Sequence, residues 1–533
     1  MDCRALTPKE LPHTTRLLRD YVENYGKLKK FYEHPPELKS VFKQAKKLKF
    51  PAERRREVAG ILRAQNEVYG SGEATRKNVA RLEEGAVAVV TGQQVGLFGG
   101  PAYAFYKALS AIRTAKDLTK RGMPAVAVFW MATEDHDVDE VRHATWFRDG
   151  KLERLELERP KAEALPVGRI RLGEGVTELV ARVEESLGET FGGIVRESYT
   201  PVATYSSAFG RMFAKIFEEQ GLILLDPLDE RLHRVAMPVL RDALARRDEL
   251  NAALLERGKE LERAGYEAQV NVTSRSTLLF SLSGGKRQVV SAAGENFVCG
   301  EENGTRDEWV RRAEREPECF SANALLRPVM QDYLLPTVAY FGGPAEIAYY
   351  AQSQVVYEKL LGRMPVLLPR VDFTLVDPKG ARILKKYGLR VEDVWEGRQA
   401  LRKQMYGKNV PKRLAKEFEG TLRQVEKSFG KLKKGVAKVD PTIQGTVARA
   451  EKRITYQLGK LREKTGAAVD RHEKVIEGHE EFLENLLYPQ KGLQSRDLSF
   501  LPFLARWGSG GLEVLEGMAS ATKVGRHYLV ETA

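Results

Sequence analysis

Apolar positions change their period along the chain, and each change marks an element. Residues 1–85 scatter apolar residues among many charges and predict polar helices. Their basic stretches, over 39–49 and at Arg54-Arg55-Arg56, read as solvated helix faces. Ala86-Val-Ala-Val-Val90 is then a continuous run rich in β-branched residues, as expected of a parallel strand buried on both faces. A Gly-rich loop over 91–101 follows, and Phe105, Leu109 and Ile112 share one face of a helix predicted over about 102–120. Residues 125–132 form a second buried run, so the segment reads as the β-loop-α-β half of a doubly wound sheet.

Residues 145–320 are mixed. The spacing predicts a hairpin turn at Arg148-Asp-Gly-Lys151, helices over 176–187 and 231–264, a strand over 222–225, and a β-rich insertion over 270–290. Buried strands resume over 334–341 and 365–368, separated by a helix opening at Gly342-Gly-Pro-Ala-Glu346. From about Pro378 no further strand is predicted. Phe418, Leu422, Val425, Phe429, Leu432 and Val436 alternate spacings of four and three. Val447, Ile454, Leu461, Ala468, Val475 and Phe482 recur every seven residues, with Leu458 and Leu486 beside them. That is an antiparallel helical hairpin with Asp440-Pro441 at its turn, and a second helix of roughly 70 Å. His472 and His479 fall in its weaker seam and read as coil residues rather than metal ligands.

The expected organisation is α/β. Residues 1–150 hold the N-terminal helices and first Rossmann-like half, 151–320 inserted connecting segments, and 321–378 the second part of the core. Residues 379–489 form the coiled-coil arm, and 490–533 return to the core.

Composition changes this picture little until charge is resolved along the chain. The 533 residues carry 86 Lys and Arg against 73 acids, a net of +13 that first suggests a polyanion partner. Residues 401–440 alone hold twelve basic residues and four acids, whereas the first 400 residues sum to only +4. The charge therefore reads as the solvated face of the arm, and nucleic acid is not an expected partner. Cys3, Cys299 and Cys319 show no C-x-x-C spacing, which excludes a disulfide framework and an all-Cys zinc site. No apolar run approaches 18 residues and the N-terminus lacks an apolar signal region, so no membrane partner and a cytoplasmic location are expected.

In an open α/β sheet ligands bind beyond the carboxyl ends of the strands. Four loops fall there: 91–100, 133–140, 342–346 and 369–372. Thr91, Gly92, Gln93 and Gln94 offer a hydroxyl, a close backbone and two amides beside a helix start suited to an anion. The loop matches neither a dinucleotide fingerprint nor a P-loop. Glu134, Asp135, His136, Asp137, Asp139 and Glu140 concentrate five carboxylates and an imidazole, suited to a divalent metal, a general base or a substrate ammonium. Tyr103, Tyr106 and Lys107 lie on the facing helix, with Lys107 open to a phosphate or to the acidic loop. Asn323, Arg327 and Gln331 share one face if their segment is helical, although Pro328 complicates that reading. Gly342, Gly343 and Glu346 combine a second helix start with a carboxylate, and Arg370 is either an anion clamp or part of a core ion pair.

Together, Val90-Thr-Gly-Gln-Gln94, Phe129-Trp-Met-Ala-Thr-Glu-Asp-His-Asp137, Arg327-Pro-Val-Met-Gln-Asp-Tyr-Leu334, Gly343-Pro-Ala-Glu-Ile-Ala-Tyr-Tyr350 and Pro369-Arg370 resemble the bacillithiol biosynthesis cysteine-adding enzymes, in order over nearly the whole chain. The resemblance implies a cysteine ligase that joins cysteine to the amine of glucosaminyl-malate. It also implies a nucleotidyltransferase-type Rossmann-like core with inserted connecting segments, an adenine nucleotide site, and a homodimer formed through the coiled coil. Ser495 departs from the pattern where an acid is expected, beside a retained Arg496.

On this reading ATP is the expected cofactor, Mg2+ a candidate companion, and a cysteinyl adenylate or acyl phosphate the activated species. His136 would deprotonate the amine, Asp135 or Asp137 would hold the ammonium or metal, and Arg327 and Arg370 would clamp carboxylate or phosphate. The identity of any metal stays open. So do two other readings: a synthetase-like RNA-binding protein and a non-catalytic dimeric scaffold.

Overall fold

The computed structural model describes residues 3–160, 164–408, 412–470, 474–520 and 524–532. Its centre is a five-stranded sheet of β1 (Val87–Gln93), β2 (Ala125–Met131), β3 (Ile223–Leu225), β4 (Thr337–Gly342) and β5 (Val366–Pro369). All neighbouring strands are parallel, in the order β5-β4-β1-β2-β3, so the winding direction reverses between β1 and β4. The apolar runs are continuous because both sheet faces are covered. Val87 and Val89 enter one hydrophobic core while Ala88 and Val90 enter the other, as the two-residue strand period requires. Helices α1 (Tyr103–Lys120), α2 (Arg327–Leu334) and α3 (Pro344–Leu360) flank the strands.

The hairpin turn at 148–151 forms between strands His143–Arg148 and Lys151–Glu156, with Asp149 and Gly150 at φ 52° and 87°. The β-rich insertion is an antiparallel sheet of five strands between Ser276 and Ala322.

The expectations fail at the chain's ends. Cys3–Leu6 is a strand in a segment read as helical, and His527–Glu531 is a strand in a region read as strand-free. Together with Asp372–Val376 they make a three-stranded sheet. Both pairings join residues far apart in sequence, so no local period announces them. The return is fastened by Gln494, whose side chain accepts from the Leu375 N–H at 2.7 Å and donates to its carbonyl at 2.9 Å.

The arm consists of α4 (Lys412–Val439) and α5 (Gln444–Asp470), joined by a tight turn at Pro441–Ile443. Asp440 Oδ1 caps that turn, accepting from the Thr442 N–H at 2.9 Å. Helix α6 (Lys474–Leu487) then packs Phe482, Leu483, Leu486 and Leu487 into the body. His472 and the continuity of the expected long second helix lie outside the described residues. His479 Nδ1 stands 3.0 Å from the Tyr387 hydroxyl, a packing contact. Among the described residues, no helix is long and apolar enough to cross a membrane.

Candidate functional site

A cavity of about 340 Å³ opens at the switch between β1 and β4. All four strand-end loops reach it, through Gly92, Gln93 and Gln94, Asp135 and Glu140, Gly343 to Glu346, and Arg370. Tyr103 and Lys107 come from α1, Arg327 from the start of α2, and Arg496 from the returning segment.

One wall is built around a buried cation. Lys107 Nζ donates to the Gly92 carbonyl at 2.9 Å and to Gln93 Oε1 at 2.8 Å, and pairs with Glu346. Three donors meet three acceptors, so the ammonium is satisfied within the protein. Burial lowers the Lys107 pKa against the opposing pull of Glu346. Burial alone would raise the Glu346 carboxyl, but Lys107 and the Gly343 N–H hold it below the usual range. Glu346 also accepts from the Gly343 N–H at 2.7 Å and the Tyr340 hydroxyl at 2.5 Å.

These contacts change several expectations. Lys107 pairs with Glu346 across the switch, not with the acidic loop. The helix start at Gly343 is already capped by its own Glu346, so its N–H is not left for an anion. The start of α1 is likewise occupied, Ala104 and Phe105 donating to the carbonyls of Pro101 and Ala102 at 3.0 Å. Gly92 is needed for a close approach to β2, since a Cβ there would stand 2.7 Å from the Trp130 carbonyl. Thr91 is fully buried and donates to the Phe341 carbonyl at 2.9 Å, which ties β1 to β4 rather than facing the cavity. Gly342 closes β4, its carbonyl accepting from the Arg370 N–H at 3.1 Å.

The acidic loop fans out instead of gathering. Glu134 is buried against His233 Nε2 at 2.8 Å, away from the cavity. Asp137 caps a short helix through the Glu140 N–H at 3.3 Å, and Asp139 pairs with Arg142 at 2.7 Å. His136 is outside the cavity lining, its Nδ1 lying 3.1 Å from Arg287 Nη1 of the insertion. Asp135 accepts from Gln94 Nε2 at 2.7 Å and stands 3.5 Å from Arg287. Glu140 reaches the cavity, where burial and then the neighbouring Asp135 carboxylate push its pKa up. Among the described residues, no three His, Cys, Asp or Glu side chains gather as a metal site. Two of these are local and one is tertiary: a helix cap takes Asp137, an i,i+3 ion pair takes Asp139, and the sequence-distant His233 takes Glu134.

The rest of the lining carries the guanidinium groups of Arg327, Arg370 and Arg496. Arg327 packs near the rings of Trp130 and Tyr340, at 5.9 and 5.7 Å from their centroids, and donates to the Tyr349 hydroxyl at 2.8 Å and Gln331 Oε1 at 3.0 Å. Asn323 is not on that helical face, because α2 begins at Arg327. Its Oδ1 instead accepts the Leu325 and Leu326 N–H groups at 2.9 and 3.1 Å. Arg370 stands 3.2 Å from Asp372 and 5.1 Å from the centre of the Tyr103 ring. Tyr103 also accepts from Gln93 Nε2 at 3.2 Å. Trp130, Tyr340 and Tyr349 line the cavity without having been singled out, because their positions in strand and helix patterns are indistinguishable from core. Arg287 carried no motif at all.

Residues 1–371 match the family model described as bacillithiol biosynthesis BshC, N-terminal Rossmann-like domain, and residues 373–532 match its C-terminal coiled-coil domain. Relatives named "Putative cysteine ligase BshC" include one from Koribacter versatilis, 42% identical over 95% of both chains. Another, from Solibacter usitatus, is 39% identical over 95% of this chain and 96% of its own. One from Lysinibacillus sphaericus is 27% identical over 97% and 98%. Matched by the two family models in order over residues 1–371 and 373–532, the chain belongs to the bacillithiol biosynthesis BshC family.

Proposed function

We propose that the protein is a cytoplasmic ligase that joins the carboxyl group of cysteine to the amine of glucosaminyl-malate, the amide-forming last step to bacillithiol. One observation carries the reading: a single cavity sets the carboxylates of Asp135 and Glu140 against the guanidinium groups of Arg327 and Arg370. Two substrates that together present an ammonium, a nucleophilic amine and several carboxylates require both kinds of wall. The name borne by the relatives points to the same activity class.

Amide formation from a free carboxylate needs an activated acyl group, and ATP as co-substrate would supply it as an adenylate or acyl phosphate. Arg327, Arg370 and Arg496 suit its phosphates, and Asp135 suits an accompanying Mg2+. Glu140, whose carboxyl is raised above its ordinary value by burial and by Asp135, would take the proton from the attacking amine, the role expected of His136 from the sequence. Gln94 Oε1 is buried without a hydrogen-bond partner among the described residues and suits a substrate N–H. The arm supports a homodimer, since Leu432, Ile454 and Leu461 are 51%, 42% and 53% exposed in the single chain.

The test is direct. Purified protein given cysteine, glucosaminyl-malate and ATP should form bacillithiol, read by thiol labelling and mass spectrometry, and should form none without ATP. Absence of product while both small molecules bind would overturn the reading. Tight, steeply salt-dependent tRNA binding in their place would favour the RNA-binding alternative.

A further inference from the structure

A second cavity, of about 370 Å³, lies behind the first and shares Gly343, Pro344, Arg370 and Arg496 with it. It is built from parts of the chain that are remote in sequence: the N-terminal segment at 8–18, the ends of β4 and β5, the turn at 492–496, and the C-terminal strand at 525–527. Leu11, Leu18, Pro369 and Leu493 give it an apolar side, and Arg370, Arg496, Arg526, His13 and His527 a basic one.

Two of those basic groups, Arg370 and His527, are largely buried. Arg370, 9% exposed, spends one terminal nitrogen on Asp372 at 3.2 Å, while its Nε has no hydrogen-bond partner among the described residues. His527 is fully buried, with Nε2 2.8 Å from Thr374 Oγ1. Its Nδ1 faces the Asp372 carboxylate at 3.6 Å, so the imidazole is spent inside the wall. Asp372 is the one carboxylate in the lining, and it is already engaged by Arg370 and by the Ser495 hydroxyl at 3.0 Å. The chamber thus sets three arginines, Arg370, Arg496 and Arg526, against one carboxylate that is already engaged, a charge imbalance that a bound anion would relieve.

We propose that this rear chamber is a second binding subsite, taking a small oxyanion, carboxylate or phosphate, held by Arg370, Arg496 and Arg526, with any short aliphatic part against Leu11 and Leu493. The shared wall at Arg370 and Arg496 makes it continuous with the front cavity, so one extended ligand or two small ones can occupy both. The same chemistry could come from the malate end of a substrate or from a phosphate group, and the two sources are separable.

Isothermal titration of the full chain at fixed ionic strength, with L-malate in one arm and inorganic pyrophosphate in the other, tests the assignment without turnover. Its failure is therefore distinguishable from failure of the ligase reading. Wild type should bind at least one probe at millimolar concentration or tighter. Arg370→Lys keeps a cation beside Asp372 but removes Nε–H, and Arg526→Gln alters an exposed residue that should not affect folding. Each should weaken binding about threefold to tenfold. Arg327→Lys, in the front cavity only, should leave binding of the rear-chamber probe unchanged. Absence of binding of either probe at 10 mM would overturn the proposal. So would equal affinity in Arg370→Lys and Arg526→Gln, or loss confined to Arg327→Lys.

Discussion

Lys107 and Glu346 form a buried ion pair that joins α1 to the start of α3 across the point where the sheet reverses its winding. The lysine side chain is 2% exposed and the glutamate 17%. The pair therefore braces the cavity floor, and its charges are spent on each other and on the backbone rather than on a ligand. Lys107→Met leaves the carboxylate buried without its cation and should cost about 3–5 kcal/mol in chemical denaturation. The double variant Lys107→Met, Glu346→Gln should lose clearly less than the sum of the two single variants. Additive losses would show that the pair is not energetically coupled.

Thr91 offers a control on the opposite side of the switch. Thr91→Val removes a buried hydroxyl bonded to the Phe341 carbonyl and should cost about 1 kcal/mol of stability. Substrate KM should stay within about twofold of wild type, because the group faces β4 and not the cavity. A large KM change would restore the residue to the binding site.

On the proposed role of Glu140, activity should depend on pH. Its carboxyl is raised by burial and by Asp135, so the active, ionised form is gained as pH rises through a value above the ordinary 4.5. The acid limb of kcat/KM should lie correspondingly high and vanish in Glu140→Gln, with kcat down about 10²-fold or more. His136→Ala, which alters a side chain directed at Arg287, should keep kcat within about threefold. A collapse in His136→Ala with a normal Glu140→Gln would reverse the two roles.

Asp497 is a stability lever in the returning segment. Burial raises its carboxyl to about 6, with Arg496 pulling the other way. A carboxyl raised in the folded state is protonated there while the unfolded chain has already ionised, so stability falls as pH rises from about 4 to about 6. Allowing for its partial exposure, Asp497→Asn should stabilise the protein by about 1 kcal/mol at pH 7.5 and by nothing measurable at pH 3.5. Thermal melts at the two pH values check the sign.

Much of this was legible along the chain. Continuous β-branched runs announced strands buried on both faces, because a parallel sheet covered by helices offers no polar side. Their order then placed four loops at one end of the sheet, and the cavity lies there. The seven-residue spacing announced the arm. The direction of individual side chains was not legible. Glu134, Asp137 and Asp139 look alike in sequence, yet one is taken by His233, one by a helix cap and one by Arg142. Glu140, in the same run, faces the cavity.

The sequence by itself determined most of the core elements, the doubly wound class and the family, since these follow from local periodicity and from motifs that survive as strings. Tertiary structure alone decided which charges are spent and which remain. Lys107 was consumed by a glutamate 239 positions away, and His136 by an arginine 151 positions away. The rear chamber closed only when residues 8–18 met 525–527. Pairing of this kind depends on distances in space that no residue spacing encodes, and burial multiplies its energetic weight by removing the water that would otherwise compete.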